Sequence, residues 1–107
     1  MSEIENTYAT ILERMQNPEP GSYTNYLLDK GMDKILKKVG EESTEVIIAA
    51  LSQSNEDLIG ELNDLVYHVL VLMAARGITI EQVEEVMARR AEKTHNLKPE
   101  RKPITNL

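Results

Sequence analysis

Apolar residues recur at helical spacing along most of the chain, and no stretch alternates convincingly with the two-residue period of a half-buried strand. The core must be built from Leu, Ile, Val, Met and Ala, because the sequence has four Tyr and neither Phe nor Trp. Aliphatic residues of this kind are typical of helix-on-helix packing. A length of 107 residues suits one domain. The sequence therefore predicts an all-α fold, a small helical bundle formed by a single domain over residues 1–107.

Capping patterns and helix-breaking residues set the predicted helix boundaries. Ser2-x-x-Glu5 and Thr79-x-x-Gln82 are capping-box patterns, and Ser54-x-x-Asp57 has the same N-terminal spacing. The prolines and the glycine of segment 17–25 predict a loop, and Gly77 predicts a helix end. The predicted helices cover about residues 2–15, 26–29, 33–51, 54–76 and 79–93. Two prolines in the remaining segment predict an extended tail over about 94–107.

Composition and charge exclude several classes of protein. The net charge of −6 argues against a general affinity for nucleic-acid backbones. The absence of Cys excludes disulfides and thiolate metal sites. The longest apolar run, residues 65–75, is about half a membrane span, and the charged N-terminal segment does not resemble a signal peptide. We therefore expect a cytoplasmic protein with no membrane or nucleic-acid partner.

The segment KKVGEESTEV crowds Glu41, Glu42 and Glu45 onto one predicted helix, where like charges a turn apart repel each other. At 100° per residue, Glu45 lies about 40° and Glu42 about 100° from Glu41, and the predicted core face spans about 120° to 180°. Lys34 and Lys38 lie on the acidic side, one to two turns nearer the N-terminus. The acidic patch therefore borders the buried face. The residues that we assign to that face are Ile35, Val39, Val46 and Ala50.

The next predicted helix carries a second acidic stripe, in which Asp57, Glu61, Asp64 and His68 follow the spacing i, i+4, i+7, i+11. After Asp64 this helix is apolar on nearly all sides, which predicts a central position in the bundle. Polar groups that enter such a helix are costly unless they find partners. His68 fits a hydrogen-bonded core histidine as well as it fits a role in a site.

A short SQSN connection between the two helices would place Glu42 and Glu45 opposite Glu61 and Asp64. Four carboxylates on facing helices suit a hard divalent cation, Mg²⁺ or Mn²⁺. The neighbouring lysines would then bind phosphates that the cation also contacts. The alternative interpretation is a solvated acidic helix face with surface lysines, which is the commoner explanation for a glutamate cluster on one helix alone.

The pattern Glu41-Glu42-x-x-Glu45, then fifteen residues, then Glu61-x-x-Asp64 resembles the signature of the all-α nucleoside triphosphate pyrophosphohydrolases, the MazG-like superfamily. Within that group, two longer segments are similar to the phosphoribosyl-ATP pyrophosphatase family. They are SYTNYLLDKGMDKILKKVGEESTEVIIAA (22–50) and ELNDLVYHVLVLMAARGI (61–78), and together they cover nearly half of the chain. The first twenty residues and the tail carry only a loose likeness.

The resemblance implies a reaction and a set of roles. The reaction is hydrolysis of 1-(5-phosphoribosyl)-ATP to 1-(5-phosphoribosyl)-AMP and pyrophosphate, the second step of histidine biosynthesis, by a homodimer with its active site near the interface. Glu41 is implied to support the metal ligands or to accept a proton from water. The implied Mg²⁺ ligands are Glu42, Glu45, Glu61 and Asp64, and the implied phosphate-binding residues are Tyr23, Lys34, Lys37 and Lys38.

Three other interpretations remain open at this stage. A house-cleaning pyrophosphatase for non-canonical nucleotides would have the same metal site, and only the SYTNYLLDKG segment favours the histidine pathway. A di-iron carboxylate bundle requires Glu-x-x-His on two helices, whereas the corresponding positions of the two acidic motifs are Glu45 and Asp64. A non-enzymatic helical interaction module would explain the amphipathic helices but not the acidic stripe on the apolar helix.

Overall fold

The computed structural model describes residues 2–93, and within that range it contains five helices and no strand. The predicted all-α class is confirmed. The extended tail predicted for 94–107 lies outside the described residues. The helices are α1 (Glu3–Gln16), α2 (Tyr23–Lys30), α3 (Met32–Ser52), α4 (Asn55–Arg76) and α5 (Ile80–Ala91).

The capping patterns act as the sequence predicts. Ser2 and Thr79 form reciprocal capping boxes at the starts of α1 and α5. The Ser54 hydroxyl accepts a hydrogen bond from the Asp57 backbone N–H and begins α4. Gly77 ends α4 in the left-handed conformation, with φ +71°, which is strained for residues that carry a Cβ. Local sequence therefore fixes both ends of α4, the helix that carries half of the acidic site.

Helix α2 begins at Tyr23, three residues earlier than the predicted turn at 26–29. Ser22 caps this helix by accepting a hydrogen bond from the Asn25 backbone N–H. The buried Asn25 side chain donates to the Arg14 carbonyl at 2.8 Å and accepts from the Glu19 backbone N–H at 2.9 Å. The predicted boundary was wrong because the hydrogen bonds of Asn25 to Arg14 and Glu19, both outside the helix, hold this residue in the first turn of α2.

The bundle is organised around α4, which contacts α1, α2 and α3. The closest packing is between α3 and α4, which form an antiparallel hairpin across the short connection after Ser52. Helix α5 contributes no buried residue. The predicted central position of α4 is therefore confirmed. The core cluster consists of Tyr8, Ile11, Leu27, Ile35, Leu70, Val71 and Ala74.

The buried face of α3 is rotated relative to the predicted face. Ile35 is buried as expected, but Ala50 is exposed and Ala49 is buried in its place. On a helical wheel, Ala49 lies about 100° from Ala50, and Ile35 and Glu42 lie between them. The assignment of Ala50 to the core was wrong because the stripe that packs on α4 is centred closer to Glu42. The same rotation explains why Glu42 is partly buried.

The buried side chains of α4 are confined to its C-terminal half, from His68 onward. Asp64 is exposed, so the expectation that this carboxylate enters a buried environment was wrong. On length and composition alone, α4 also meets the criterion for crossing a membrane, one that core helices of soluble proteins meet as well. Its N-terminal half leaves Ile59, Leu62 and Val66 exposed beside the acidic stripe.

Candidate active site

Three predicted metal ligands converge where α3 faces α4. One carboxylate oxygen from each of Glu42, Glu61 and Asp64 lies within 4.8 Å of the other two. Oxygen ligands about 2.1–2.6 Å from a single divalent cation lie up to about 4–5 Å from each other. The spacing and the all-oxygen donor set therefore fit one hard divalent cation, and the antiparallel hairpin brings the ligands together as the sequence predicts.

The electrostatics of Glu61 show how closely the acidic groups are placed. Its pKa is raised by desolvation first, and then by the negative charges of Glu45, Asp64, Glu42 and Asp57. Each neighbouring carboxylate disfavours the ionised form of Glu61, and a bound cation would reverse that effect. The site is therefore one in which positive charge would be stabilised.

Glu45 and Glu41 lie outside the group of three. The carboxylate of Glu45 is exposed and does not join the cluster, although its charge is the strongest Coulombic influence on Glu61. Glu41 is exposed and accepts a hydrogen bond from Lys38 Nζ at 3.2 Å. That bond is the main reason why the pKa of Glu41 is lowered. The structure thus places one predicted ligand and the predicted proton acceptor at the edge of the cluster.

Lys38 connects the acidic cluster to helix α2. Its ammonium group lies 3.4 Å from a Glu42 oxygen as well as 3.2 Å from Glu41. The bond to Glu41 is the largest cause of the raised pKa of Lys38, so this side chain carries its positive charge at neutral pH. Its charge also acts on the Tyr23 hydroxyl. Lys38 is therefore a cation fixed directly beside the proposed ligands.

His68 links the same region to α2 through hydrogen bonds on both ring nitrogens. Nδ1 lies 2.6 Å from the Asp64 carbonyl oxygen, which can only accept, so Nδ1 carries the hydrogen. Nε2 then accepts from the Tyr23 hydroxyl at 2.9 Å. Burial is the main reason why the pKa of Tyr23 is raised, and the hydroxyl therefore remains a donor. His68 is buried and fully bonded, which supports its interpretation as a core histidine.

Two tyrosines and two lysines form a surface beside this link. Tyr23 and Tyr26 are stacked with ring centroids 6.0 Å apart, and both rings are partly exposed. The Nζ atoms of Lys30 and Lys34 lie 5.9 and 5.8 Å from the centre of the Tyr26 ring. Tyr26 and Lys30 were not singled out from the sequence. The signal was the spacing of Tyr23, Tyr26 and Lys30 at i, i+3 and i+7, which places them on one side of α2.

The all-α bundle, with acidic side chains of its Glu-Glu-x-x-Glu and Glu-x-x-Asp motifs gathered on a helical hairpin, resembles the all-α nucleoside triphosphate pyrophosphohydrolases. Comparison with known families narrows the class: the family model for phosphoribosyl-ATP pyrophosphohydrolase matches residues 4–91. The chain belongs to this phosphoribosyl-ATP pyrophosphohydrolase family.

The chain is also similar in sequence to individual proteins over most or all of its length. The phosphoribosyl-ATP pyrophosphatase of Clostridium acetobutylicum is 52% identical over 104 residues, which are 97% of this chain and 94% of that protein. The protein of the same name from Lactiplantibacillus plantarum is 49% identical over 107 residues and the whole of both chains. That of Lacticaseibacillus casei is 57% identical over 90 residues, 84% of this chain and 82% of the relative. The hydrolase class expected from the sequence is confirmed.

Proposed function

We propose that this chain hydrolyses the bond between the α- and β-phosphates of 1-(5-phosphoribosyl)-ATP, producing 1-(5-phosphoribosyl)-AMP and pyrophosphate. The observation that carries the proposal is the carboxylate cluster of Glu42, Glu61 and Asp64 beside Lys38, in a chain of this family. In cells, this reaction would be the second step of histidine biosynthesis, in the cytoplasm. The relatives named phosphoribosyl-ATP pyrophosphatase support the choice of substrate.

Glu42, Glu61 and Asp64 would hold a Mg²⁺ ion, for which Mn²⁺ could substitute. Glu45 would complete the ligand set, because its charge already acts on Glu61. When bound, the ion would neutralise charge on the triphosphate and lower the pKa of an attacking water. The four carboxylates repel each other, and only Glu42 is paired with a cation, Lys38. A metal ion would compensate the remaining repulsion, so the arrangement fits a metal site better than a solvated helix face.

The lysines would stabilise the negative charge that builds up on the leaving pyrophosphate. Lys38 is the best placed of them, since its ammonium group is already held at the edge of the cluster. Lys37 directly precedes it on the same helix and would contact other oxygens of the triphosphate. The exposed ring of Tyr23 would form the adjoining wall of the site.

Glu41 is our candidate for the group that accepts the proton from water. Its carboxylate is ionised at neutral pH, as a proton acceptor must be, and the hydrogen bond from Lys38 that lowers its pKa also weakens it as a base. The Glu41→Gln variant is expected to lose about 10²-fold or more in kcat with little change in KM. A rise in KM without a loss of kcat would instead assign Glu41 to the positioning of Lys38.

A homodimer is the second element of the proposal. The α3–α4 hairpin exposes large apolar side chains around its tip, and Leu51 is 83% exposed. A concentration of exposed large apolar side chains is typical of an interface between protein copies. A second copy of the hairpin would cover it close to the acidic cluster. The exposed side chains in this region include Ile47, Ile48, Leu51, Ile59, Leu62 and Val66.

Release of pyrophosphate from phosphoribosyl-ATP tests the proposal, with Mg²⁺ and with EDTA. The unmodified protein is expected to turn over only with the metal. Asp64→Asn should abolish turnover and remain folded, whereas Glu56→Gln on the first turn of α4 should retain full activity. Equal activity with EDTA, or full activity of Asp64→Asn, would contradict the proposed metal site.

A further inference from the structure

The lysines of this acidic protein are concentrated in one segment. Four of them, Lys30, Lys34, Lys37 and Lys38, lie within nine residues that span the end of α2 and the start of α3. Lys38 is paired with two glutamates. Among residues 2–93, the structure shows no ion pair for the other three. Their positive charge is therefore available to an anion from outside the chain.

Lys30 and Lys34 are held on the same aromatic ring. Their Nζ atoms lie 5.9 and 5.8 Å from the centre of Tyr26, each within the range of a cation–π contact. Two ammonium groups on one ring repel each other, and a shared anion would remove that repulsion. A phosphate is an anion that suits two lysines, since each of its oxygens can accept a separate hydrogen bond.

The two lysines lie N-terminal to the carboxylate cluster, Lys34 on α3 and Lys30 at the end of α2. Lys34 precedes Glu42 by eight residues, which is about 12 Å of helix. The stacked rings of Tyr23 and Tyr26 lie between Lys30 and the region of His68 and Asp64. An elongated ligand with phosphate at both ends would therefore reach both sites across the tyrosines.

A depression of about 690 Å³ borders the two tyrosines on their loop side. That volume is in the range of small-molecule binding sites. Its lining includes Glu19, which is paired with Arg14, and Asp29, whose carboxylate disfavours a phosphate there. On α2, Asp29 and Lys30 flank Tyr26 at about 60° and about 40° on opposite sides. The depression thus suits an uncharged part of a ligand, and the lysine side suits its anion.

We propose that Tyr26, Lys30 and Lys34 form a subsite for the phosphoribosyl group at N1 of the substrate adenine, with the two ammonium groups binding its 5-phosphate. This inference rests on the proposed function. The triphosphate and the 5-phosphate of phosphoribosyl-ATP are separated by a ribose, the purine and a second ribose. With the triphosphate at the carboxylate cluster, the purine lies against Tyr23 and Tyr26, and the 5-phosphate reaches the lysines.

The subsite explains how the enzyme distinguishes its substrate from ATP. ATP has the triphosphate and the purine but lacks the second ribose with its 5-phosphate, so it would leave both lysines without an anion. A site that is built to bind a group discriminates against an analogue that lacks it. Specificity would then depend on α2 and the start of α3, whereas the chemistry would depend on the carboxylates of the hairpin.

Binding of the product separates the subsite from the metal site. Phosphoribosyl-AMP and AMP are titrated calorimetrically in EDTA into the unmodified protein and into Lys30→Met/Lys34→Met, in which the apolar stems remain. The unmodified protein should bind phosphoribosyl-AMP about a hundredfold more tightly than AMP, at about tenfold for each of the two lysine–phosphate contacts. The double variant should lose this preference, and its affinity for AMP should be unchanged. Lys93→Met is the matched control and should behave as the unmodified protein.

Kinetics distinguish failure of the subsite from failure of the proposed function. The double variant should raise KM for phosphoribosyl-ATP by about the same factor and leave kcat unchanged. Metal-dependent turnover with the same KM in both proteins would overturn the subsite and leave the function standing. Lysine-dependent binding of phosphoribosyl-AMP without turnover would overturn the function and leave the subsite. Lys30→Met alone, at the exposed position, repeats the test should the double variant fail to fold.

Discussion

Replacing Tyr23 with Phe removes one hydroxyl and isolates the link between α2 and α4. That hydroxyl donates to His68 Nε2 at 2.9 Å, and the hydrogen on Nδ1 is committed to the Asp64 carbonyl. The buried Nε2 would therefore lose its hydrogen-bond donor in the variant. An unsatisfied buried acceptor costs about 1–3 kcal/mol. Because Tyr23 is 44% exposed and water can approach, we expect the lower half of that range, about 1–2 kcal/mol.

The fall in the free energy of unfolding caused by Tyr23→Phe is measured by urea unfolding at one fixed protein concentration, since dimer formation would make stability depend on concentration. In thermal unfolding it corresponds to a fall in Tm of about 4–8 °C per kcal/mol for a domain near this size. His68→Leu provides the control background. With the imidazole absent, Tyr23→Phe should cost little, which gives a coupling energy of about 1 kcal/mol between the two residues. An equal cost in both backgrounds, or no cost in either, would refute the hydrogen bond as a stabilising link.

Three further changes test the cluster, the core and the dimer. Glu61→Gln should abolish the stabilisation by Mg²⁺, which is about 2.7 kcal/mol at a hundredfold excess over Kd, in thermal unfolding. Without metal, the raised pKa of Glu61 means that the folded protein binds more protons than the unfolded chain. The unmodified protein should therefore lose stability relative to this variant as pH rises above 4.5. The opposite trend would contradict the repulsion between Glu61 and the neighbouring carboxylates. Leu27→Ala, in the fully buried centre, should cost about 2–5 kcal/mol in urea unfolding, and a cost below that range would contradict the assigned core. Leu51→Glu should shift the mass measured by light scattering from dimer to monomer, whereas Leu12→Glu on α1 should not; a monomer before mutation would exclude the proposed interface.

The parts of the fold that depend on neighbours in sequence were predictable from the sequence. Caps at Ser2, Ser54 and Thr79 and the stop at Gly77 involve residues within four positions, and the structure has all of them. The start of α2 was missed because it depends on the bonds of Asn25 to Arg14 and Glu19, which exist only after α1 and α2 are packed.

The candidate site divides in the same way. The spacing within α3 and α4 predicted that Glu42 would meet Glu61 and Asp64, because an antiparallel hairpin fixes which turns are opposite. The absence of Glu45 from that group does not follow from the rotation of α3, because putting Ala49 in the core in place of Ala50 turns Glu45 toward α4. A small difference in helix rotation cannot be read from a pattern of apolar residues. Tyr26 and Lys30 were missed since their significance depends on Lys34, which lies in a different helix.

The assignment of substrate is the central claim, and a panel of four nucleotides tests it most directly. Pyrophosphate release is followed from phosphoribosyl-ATP, ATP, dUTP and dCTP, each with Mg²⁺ and with EDTA. The proposed function predicts metal-dependent turnover confined to phosphoribosyl-ATP. Turnover of the simple triphosphates in its place would assign the chain to the house-cleaning pyrophosphatases and retain the metal site. No turnover of any of the four would contradict the catalytic role of the carboxylate cluster.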